Sequence, residues 1–271
     1  MIPKTNTTNK KNPNQMTFIE HLEELRYRLL ASVIAIFVAF GGCYYFSDKL
    51  LAFLEAPLKT LLPQGAAIIG TGLAEAFAAR IMVALVAAVV VACPFWFYEL
   101  WRFVSPGLYP GEKKLVAPFV LFASLFFVSG VVFGYYVVFP TAFSFFISQY
   151  TEAGISAQIK IGEYFGFTTK LLLAFGLCFE FPIVAFFFGR VGIITWRGMM
   201  KAGKYAIVII FIVAAVLTPG PDVASQLLLA GPLLLLYGIS IAIVAATGKR
   251  KKEEKPAKQD QSPQVPDNPA G

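Results

Sequence analysis

Six long apolar stretches organise the chain, at about 29–46, 76–98, 115–147, 164–189, 205–217 and 223–246. A helix rises 1.5 Å per residue, so about 20 apolar residues cross a hydrocarbon core of about 30 Å. The pattern predicts an all-α membrane protein with six transmembrane helices. The third stretch is too long for one straight crossing. Pro140 is expected to bend it, with one end projecting beyond the hydrocarbon. The fifth, Tyr205 to Leu217, covers only roughly 20 Å, and Gly231-Pro232 interrupts the sixth. Short helices five and six predict a locally thinned bilayer beside them. No A-x-A-like cleavage site follows the first stretch, which reads as a retained anchor. Residues 1–16 are polar, and 247–271 turn from Lys-rich to Pro-, Gln- and Asp-rich. Both are expected to be disordered, leaving 17–246 as the transmembrane domain.

Composition strengthens the membrane reading and redirects the charge. Hydrophobic residues make up 57% of the 271 and charged residues 14%, against about 25% charged in soluble domains. The net charge of +7 does not point to nucleic acid, because of where the cations lie. Segments 1–28, 102–114, 190–204 and 248–271 hold 18 of the 23 Lys and Arg, and the alternate segments hold 3. Arg80 and Lys170 lie within or beside helices. The positive-inside rule then places both termini in the cytoplasm. The Lys249-Arg-Lys-Lys252 cluster is expected to meet anionic lipid head groups. Cys43, Cys93 and Cys178 all fall in apolar stretches and read as small buried hydrophobes, not as a disulfide or metal framework.

Little in the chain could perform catalysis. There is one histidine, His21, outside the membrane. Asp48 and Asp222 sit near segment ends, and no phosphate-cradling glycine loop is present. No enzyme activity, cofactor or metal is expected. Glu180 stands out instead. It lies near the middle of the fourth stretch, where an ionised carboxylate costs roughly 2.5–3.5 kcal/mol on insertion scales. Such a residue marks either a functional site facing a wet interior or a structural polar clasp. Ahead of the first stretch, Leu22, Leu25 and Leu29 recur at helical spacing, giving an amphipathic lead into helix one. Glu20 and Glu24 share a face, and Glu24 can pair with Arg28 at i,i+4. Glu112 begins helix three, where its charge suits the macrodipole, and Asp222 is placed to cap helix six. Gly130-x-x-x-Gly134 and Gly162-x-x-x-Gly166 fit small-residue helix packing.

Several of these segments together resemble one family. His21-Leu-Glu-Glu-Leu-Arg-Tyr-Arg-Leu29 resembles the HLxELRxRL signature of the TatC family, the multispanning receptor subunit of the twin-arginine protein translocase. Glu55-Ala-Pro-Leu58 resembles its first outer loop, and Trp101-Arg-Phe-Val-Ser-Pro-Gly-Leu-Tyr-Pro-Gly-Glu112 its first cytoplasmic loop. Phe139-Pro140, Ala174-Phe-Gly-Leu-Cys-Phe-Glu-Phe-Pro182 and Leu217-Thr-Pro-Gly-Pro-Asp-Val-Ala-Ser-Gln226 continue the likeness in order. It spans about residues 17–246.

The resemblance implies a concave, cupped bundle in the bacterial cytoplasmic (inner) membrane. It implies a receptor for twin-arginine signal peptides and the core of a translocase that exports folded proteins, driven by the proton-motive force. By the same resemblance, Glu24 and Glu112 contact the twin arginines, with Arg26, Phe103 and Tyr109 in the same site. A planar guanidinium fork matches a carboxylate in a way Lys cannot copy. Glu180 is implied to face the interior where signal peptide and partner helices engage. Pro57, Glu75 and Asp222 are implied as outer-face positions of structural or functional weight. Leu73 and Ala74 depart from the Pro and polar residues that often precede the glutamate at the Glu75 position. Implied partners are TatA- and TatB-like single-span proteins, twin-arginine precursors, lipid, and further copies in a larger complex. The competing class is a proton-coupled secondary transporter of a small solute, with Glu180 carrying the proton. That class often has repeated halves, which are not visible here, and the glutamates gathered toward the cytoplasmic face favour a peptide receptor.

Overall fold

The computed structural model describes residues 18–63, 66–104, 116–218, 220 and 222–247. Both predicted disordered ends and the loop carrying Tyr109 and Glu112 lie outside the described residues.

The first helix, α1 (Phe18–Tyr45), absorbs the amphipathic lead and the first apolar stretch without a break. A second helix, α2 (Ser47–Leu61), follows directly, where the sequence reading had only an outer loop. Its leucines explain it, because Leu54 and Leu58 recur one turn apart and are buried. The short strand β1 (Ala67–Ile69) then leads to α3 (Glu75–Val91) and α4 (Cys93–Val104). These two are bent by 57° at Ala92. Pro94 is the second residue of α4, where its missing N–H has no helical acceptor to leave unserved.

Proline also shapes the third crossing. α5 (Val116–Phe133) passes through a π turn at Gly134–Val138 into α6 (Phe139–Glu152). Pro140 cannot donate to the carbonyl one turn back, and the N–H of Phe139 reaches Gly134 instead of its usual i−4 partner. Pro140 is therefore accommodated by a register shift, and Ala117–Glu152 persists as one long helix.

After strand β2 (Gln158–Lys160), α7 (Ile161–Phe179) and α8 (Phe181–Val191) make the fourth crossing, interrupted at Glu180. α8 closes at Gly192, whose φ of +87° favours glycine. α9 (Trp196–Leu217) and α10 (Val223–Thr247) are the last described helices.

Helix five is longer than its apolar stretch, and helix six matches its own without the expected interruption. The stretch 205–217 is only the distal part of the 22-residue α9. Its proximal part, 196–204, carries Arg197, Lys201 and Lys204 yet is helical, and the Thr195 hydroxyl accepts from the Gly198 N–H at 3.1 Å to cap it. α10 runs 25 residues straight through Gly231-Pro232. The thinning expected from two short helices thus loses its premise.

Among the described residues, five helices are long and apolar enough to cross a membrane, and the bent α3–α4 pair, taken as one span, makes six. The main core joins α2, α3, the π turn, α6, α7 and α10, with Leu58, Phe139, Tyr164, Leu171 and Phe175 at its centre. α5 lies tightly on α7. A Cβ added at Gly130 would fall 2.5 Å from the Phe175 carbonyl oxygen, so the Gly130 half of the small-residue motif is required for that approach. β1 and β2 pair in parallel, Ile68 opposite Ile159, and tie the loops at the face remote from the α1 N-terminus.

A proline of α2 is linked to the π turn through this core. Pro57 leaves the Phe53 carbonyl without its helical donor. The Tyr135 hydroxyl, presented by the π turn, donates to that carbonyl at 2.7 Å, and the two rings stack 4.4 Å apart. Tyr164 donates to the neighbouring Leu54 carbonyl. Pro57, at an outer-face position singled out above, acts in the fold by freeing an acceptor that the third crossing uses.

Candidate functional site

Polar chemistry gathers in two places. The first is the face where α1 begins and α4 ends. Glu24 and Arg28 are one turn apart on α1, and the predicted pair forms. Arg28 Nε and one terminal nitrogen donate to Glu24 Oε1 at 3.2 and 2.8 Å. The other terminal nitrogen donates to Glu99 Oε2 on α4 at 2.8 Å. The guanidinium is thus shared by two carboxylates. All three side chains are largely shielded, at 17% exposure for Glu24, 12% for Arg28 and 9% for Glu99. Such charge-assisted bonds are about twice as strong as neutral ones. Oε2 of Glu24 is buried and has no hydrogen-bond partner among the described residues.

An aromatic pair borders the cluster on the same two helices. His21 stacks on Phe103 with centroids 4.4 Å apart and planes within 12°. Phe103 therefore stands beside the Glu24 turn, carried on α4 and not in the loop where the family resemblance grouped it with Tyr109. Arg26 is on α1 but exposed, turned away from the shielded cluster. Tyr109 and Glu112 lie outside the described residues.

Glu99 is the functional candidate that sequence reading missed. It sits one residue beyond the second apolar stretch, in Phe95-Trp-Phe-Tyr-Glu-Leu-Trp101. An acid inside an aromatic run is the same signal that singled out Glu180. Its partner, however, is 71 residues away, and no local spacing rule connects them.

The second place is the α7–α8 junction. Glu180 ends one helix and begins the next, with its N–H on Leu177 O at 3.1 Å and its carbonyl accepting from Val184 at 2.9 Å. Pro182 follows at the start of α8, which explains the interruption. The side chain is 8% exposed, and its Oε1 is buried without a partner among the described residues. It borders a groove of about 400 Å³ between α7–α8, α9 and α10. Leu177, Phe181, Ile209, Val213, Leu233 and Leu236 line it, and Glu180 is its one acid.

The remaining predicted positions are structural in their contacts. Glu75 opens α3, and its carboxylate accepts from the Thr71 N–H and hydroxyl, both at 2.7 Å. This closes the loop ahead of α3 on itself. Asp222 caps α10 as predicted, accepting from the Ser225 N–H at 2.7 Å and from its hydroxyl. The Ser225 hydroxyl, then its N–H, holds the Asp222 carboxyl below the usual carboxylate range. Sequence reading also missed Gln226, whose side chain donates to Phe211 O at 2.7 Å and ties α10 to α9. No metal-binding cluster occurs among the described residues.

Comparison with known proteins agrees with this architecture. The model of the family described as Sec-independent protein translocase protein (TatC) matches residues 20–232. The TatC protein of Desulforapulum autotrophicum is 45% identical over 88% of this chain and 87% of its own. That of Campylobacter jejuni is 43% identical over 86% of this chain and 96% of its own. A crystal structure of the twin arginine translocase receptor TatC superposes with a TM-score of 0.76 at 37% identity, over 83% of this chain and 98% of that one. With six helical crossings in the same arrangement, the chain belongs to the TatC family of Sec-independent protein translocase components.

Proposed function

We propose that this chain is the receptor for twin-arginine signal peptides in a translocase that exports folded proteins across the bacterial cytoplasmic membrane. The observation that carries the reading is the partly satisfied Glu24 carboxylate. It is shielded, sits at a helix start on the face read as cytoplasmic, and keeps one oxygen free of partners among the described residues. A guanidinium is the group that such an oxygen pairs with best, because its fork can take carboxylate in two parallel bonds. Glu112 is the second carboxylate of the site, and Tyr109 lies in the same loop. The Phe103–His21 stack supplies an aromatic wall against which a guanidinium can lie.

Glu180 serves the next step. Single-span TatA- and TatB-like partners dock in the apolar groove it borders, where a polar group of the partner meets the unpaired carboxyl. Energy comes from the proton-motive force, consistent with a sequence that carries no nucleotide-binding loop. Both termini face the cytoplasm, following the bias of Lys and Arg, and several copies act in one complex.

Site-specific crosslinking of a twin-arginine signal peptide to the protein in membranes tests this reading. Contact with wild type should be lost in Glu24→Ala and Glu112→Ala, and when the peptide's Arg-Arg is replaced by Lys-Lys. Equal crosslinking in all cases would make these glutamates structural and reopen the solute-transporter class.

A further inference from the structure

The receptor reading leaves a difficulty, because Glu24 is already engaged. Arg28 holds its Oε1 through two nitrogens, so an incoming guanidinium must compete with an internal one of the same chemistry. Charge decides the contest. Glu24, Arg28 and Glu99 together carry one net negative charge. Glu24 and Arg28 alone would be a closed neutral pair with little attraction for a further cation.

We infer that Glu99 is a positioning residue for the twin-arginine site, the anchor that keeps Arg28 from satisfying Glu24. With one nitrogen of Arg28 on Glu99 at 2.8 Å, Arg28 keeps a charged partner when a substrate arginine takes over Glu24. No buried cation is stranded by the exchange, and stranding is the costly outcome for a shielded pair. Glu24 Oε2 is the oxygen at which the exchange begins, being buried and without a partner among the described residues. Glu99 touches Arg28 and acts on the substrate only through it. The arrangement also sharpens selectivity. A lysine ammonium, lacking the fork, displaces a bidentate guanidinium poorly, so the internal Arg28 sets the threshold that an incoming group must exceed.

This inference rests on the receptor reading, and the test separates the two. The measurement is equilibrium binding of a labelled Arg-Arg signal peptide to the full-length protein in lipid nanodiscs. Unfolding midpoints of the same samples report on the fold. Glu99→Gln closes the Glu24–Arg28 pair and should weaken binding about tenfold, the weight of one charge-assisted contact. Adding Arg28→Gln to Glu99→Gln restores the net charge and removes the competitor, so binding should return to within about threefold of wild type. A merely structural Glu99 predicts the reverse, a double variant at least as impaired as the single. Arg28→Lys, which keeps the charge without the fork, should bind peptide at least as tightly as wild type. It supplies the reading if Glu99→Gln does not accumulate.

Wild-type affinity in Glu99→Gln, no recovery in the double variant, or weakened binding in Arg28→Lys would overturn the role of Glu99. If Glu24→Gln also binds as wild type, the receptor reading itself fails. If Glu24→Gln is weak while Glu99→Gln is normal, only the anchor is refuted.

Discussion

Glu99 and Glu180 are both buried acids in apolar, aromatic surroundings, yet they are held in opposite ways. Glu99 reaches a guanidinium, which it shares with Glu24. Glu180 has no counter-charge among the described residues and keeps one oxygen unpaired. The difference lies in position along the crossing. Glu99 is on the last turns of α4, within reach of Arg28 near the start of α1. Glu180 is 19 residues into the Ile161–Val191 crossing, where the other described residues lining its groove carry no charge. A paired acid at a face suits recognition of charge, whereas a lone acid in a groove suits recognition of a helix bearing one polar group.

Removing the counter-charge breaks the contrast most directly. Arg28→Leu leaves Glu24 and Glu99 shielded and unpaired, which should cost about 3–5 kcal/mol, the range for one-sided removal of a buried pair. A large fall in the unfolding midpoint of the purified protein in detergent is the expected result. An unchanged midpoint would mean that water screens the cluster and that shielding has been overvalued. Glu180→Leu should move the other way. It replaces an unsatisfied buried carboxyl with a group that fits an apolar groove and should stabilise the fold by about 1–3 kcal/mol. Export in membranes should nevertheless fall sharply. Glu180→Leu that is destabilised would show a polar clasp, and one that exports normally would remove Glu180 from the mechanism.

The same contrast separates what was legible in the sequence from what was not. Rules of local spacing sufficed for the Glu24–Arg28 pair, the Asp222 cap and the oddity of Glu180, since each needs only neighbours within a few residues. The six crossings followed from runs of apolar residues and chain length. Relations through space were out of reach. Glu99–Arg28 joins α4 to α1, and the Tyr135–Phe53 bond spans 82 residues. Helix ends misled for a related reason. The basic proximal part of α9, 196–204, looks like loop on hydropathy alone but is helical behind the Thr195 cap, and Pro232 is tolerated within α10. α2 could have been found from its leucine spacing, though Pro57 argued against it.

Tyr135 tests whether an interior hydrogen bond can be as consequential as an ion pair. Tyr135→Phe removes the donor to Phe53 O and keeps the ring stack, leaving a carbonyl that Pro57 cannot serve. The loss should be about 0.5–1.5 kcal/mol, the net weight of a typical hydrogen bond, because Phe53 is partly exposed. Pro57→Ala supplies a backbone N–H to the same carbonyl. Tyr135→Phe should therefore cost clearly less in the Pro57→Ala background, and a thermal double-mutant cycle reads the coupling. Additive effects would show that Pro57 and Tyr135 do not share that acceptor.

Asp222 gives the smallest expected effect and the sharpest control. It lies at the face remote from the Glu24 cluster, and its carboxylate does for α10 what no groove residue does for Glu180: it meets its donors within one turn. Asp222→Ala should cost about 1 kcal/mol, as for other N-caps, and Asp222→Asn only a fraction of that. Because the folded-state pKa lies below the ordinary value, this contribution is present at neutral pH. It is lost as the pH falls through the depressed pKa, where the carboxyl becomes protonated. The midpoint difference between wild type and Asp222→Asn should therefore be level near neutrality and shrink in acid. Peptide binding at the opposite face should not change with either substitution. If binding changed, the two faces would be energetically coupled, and neither acid cluster could be treated as acting alone.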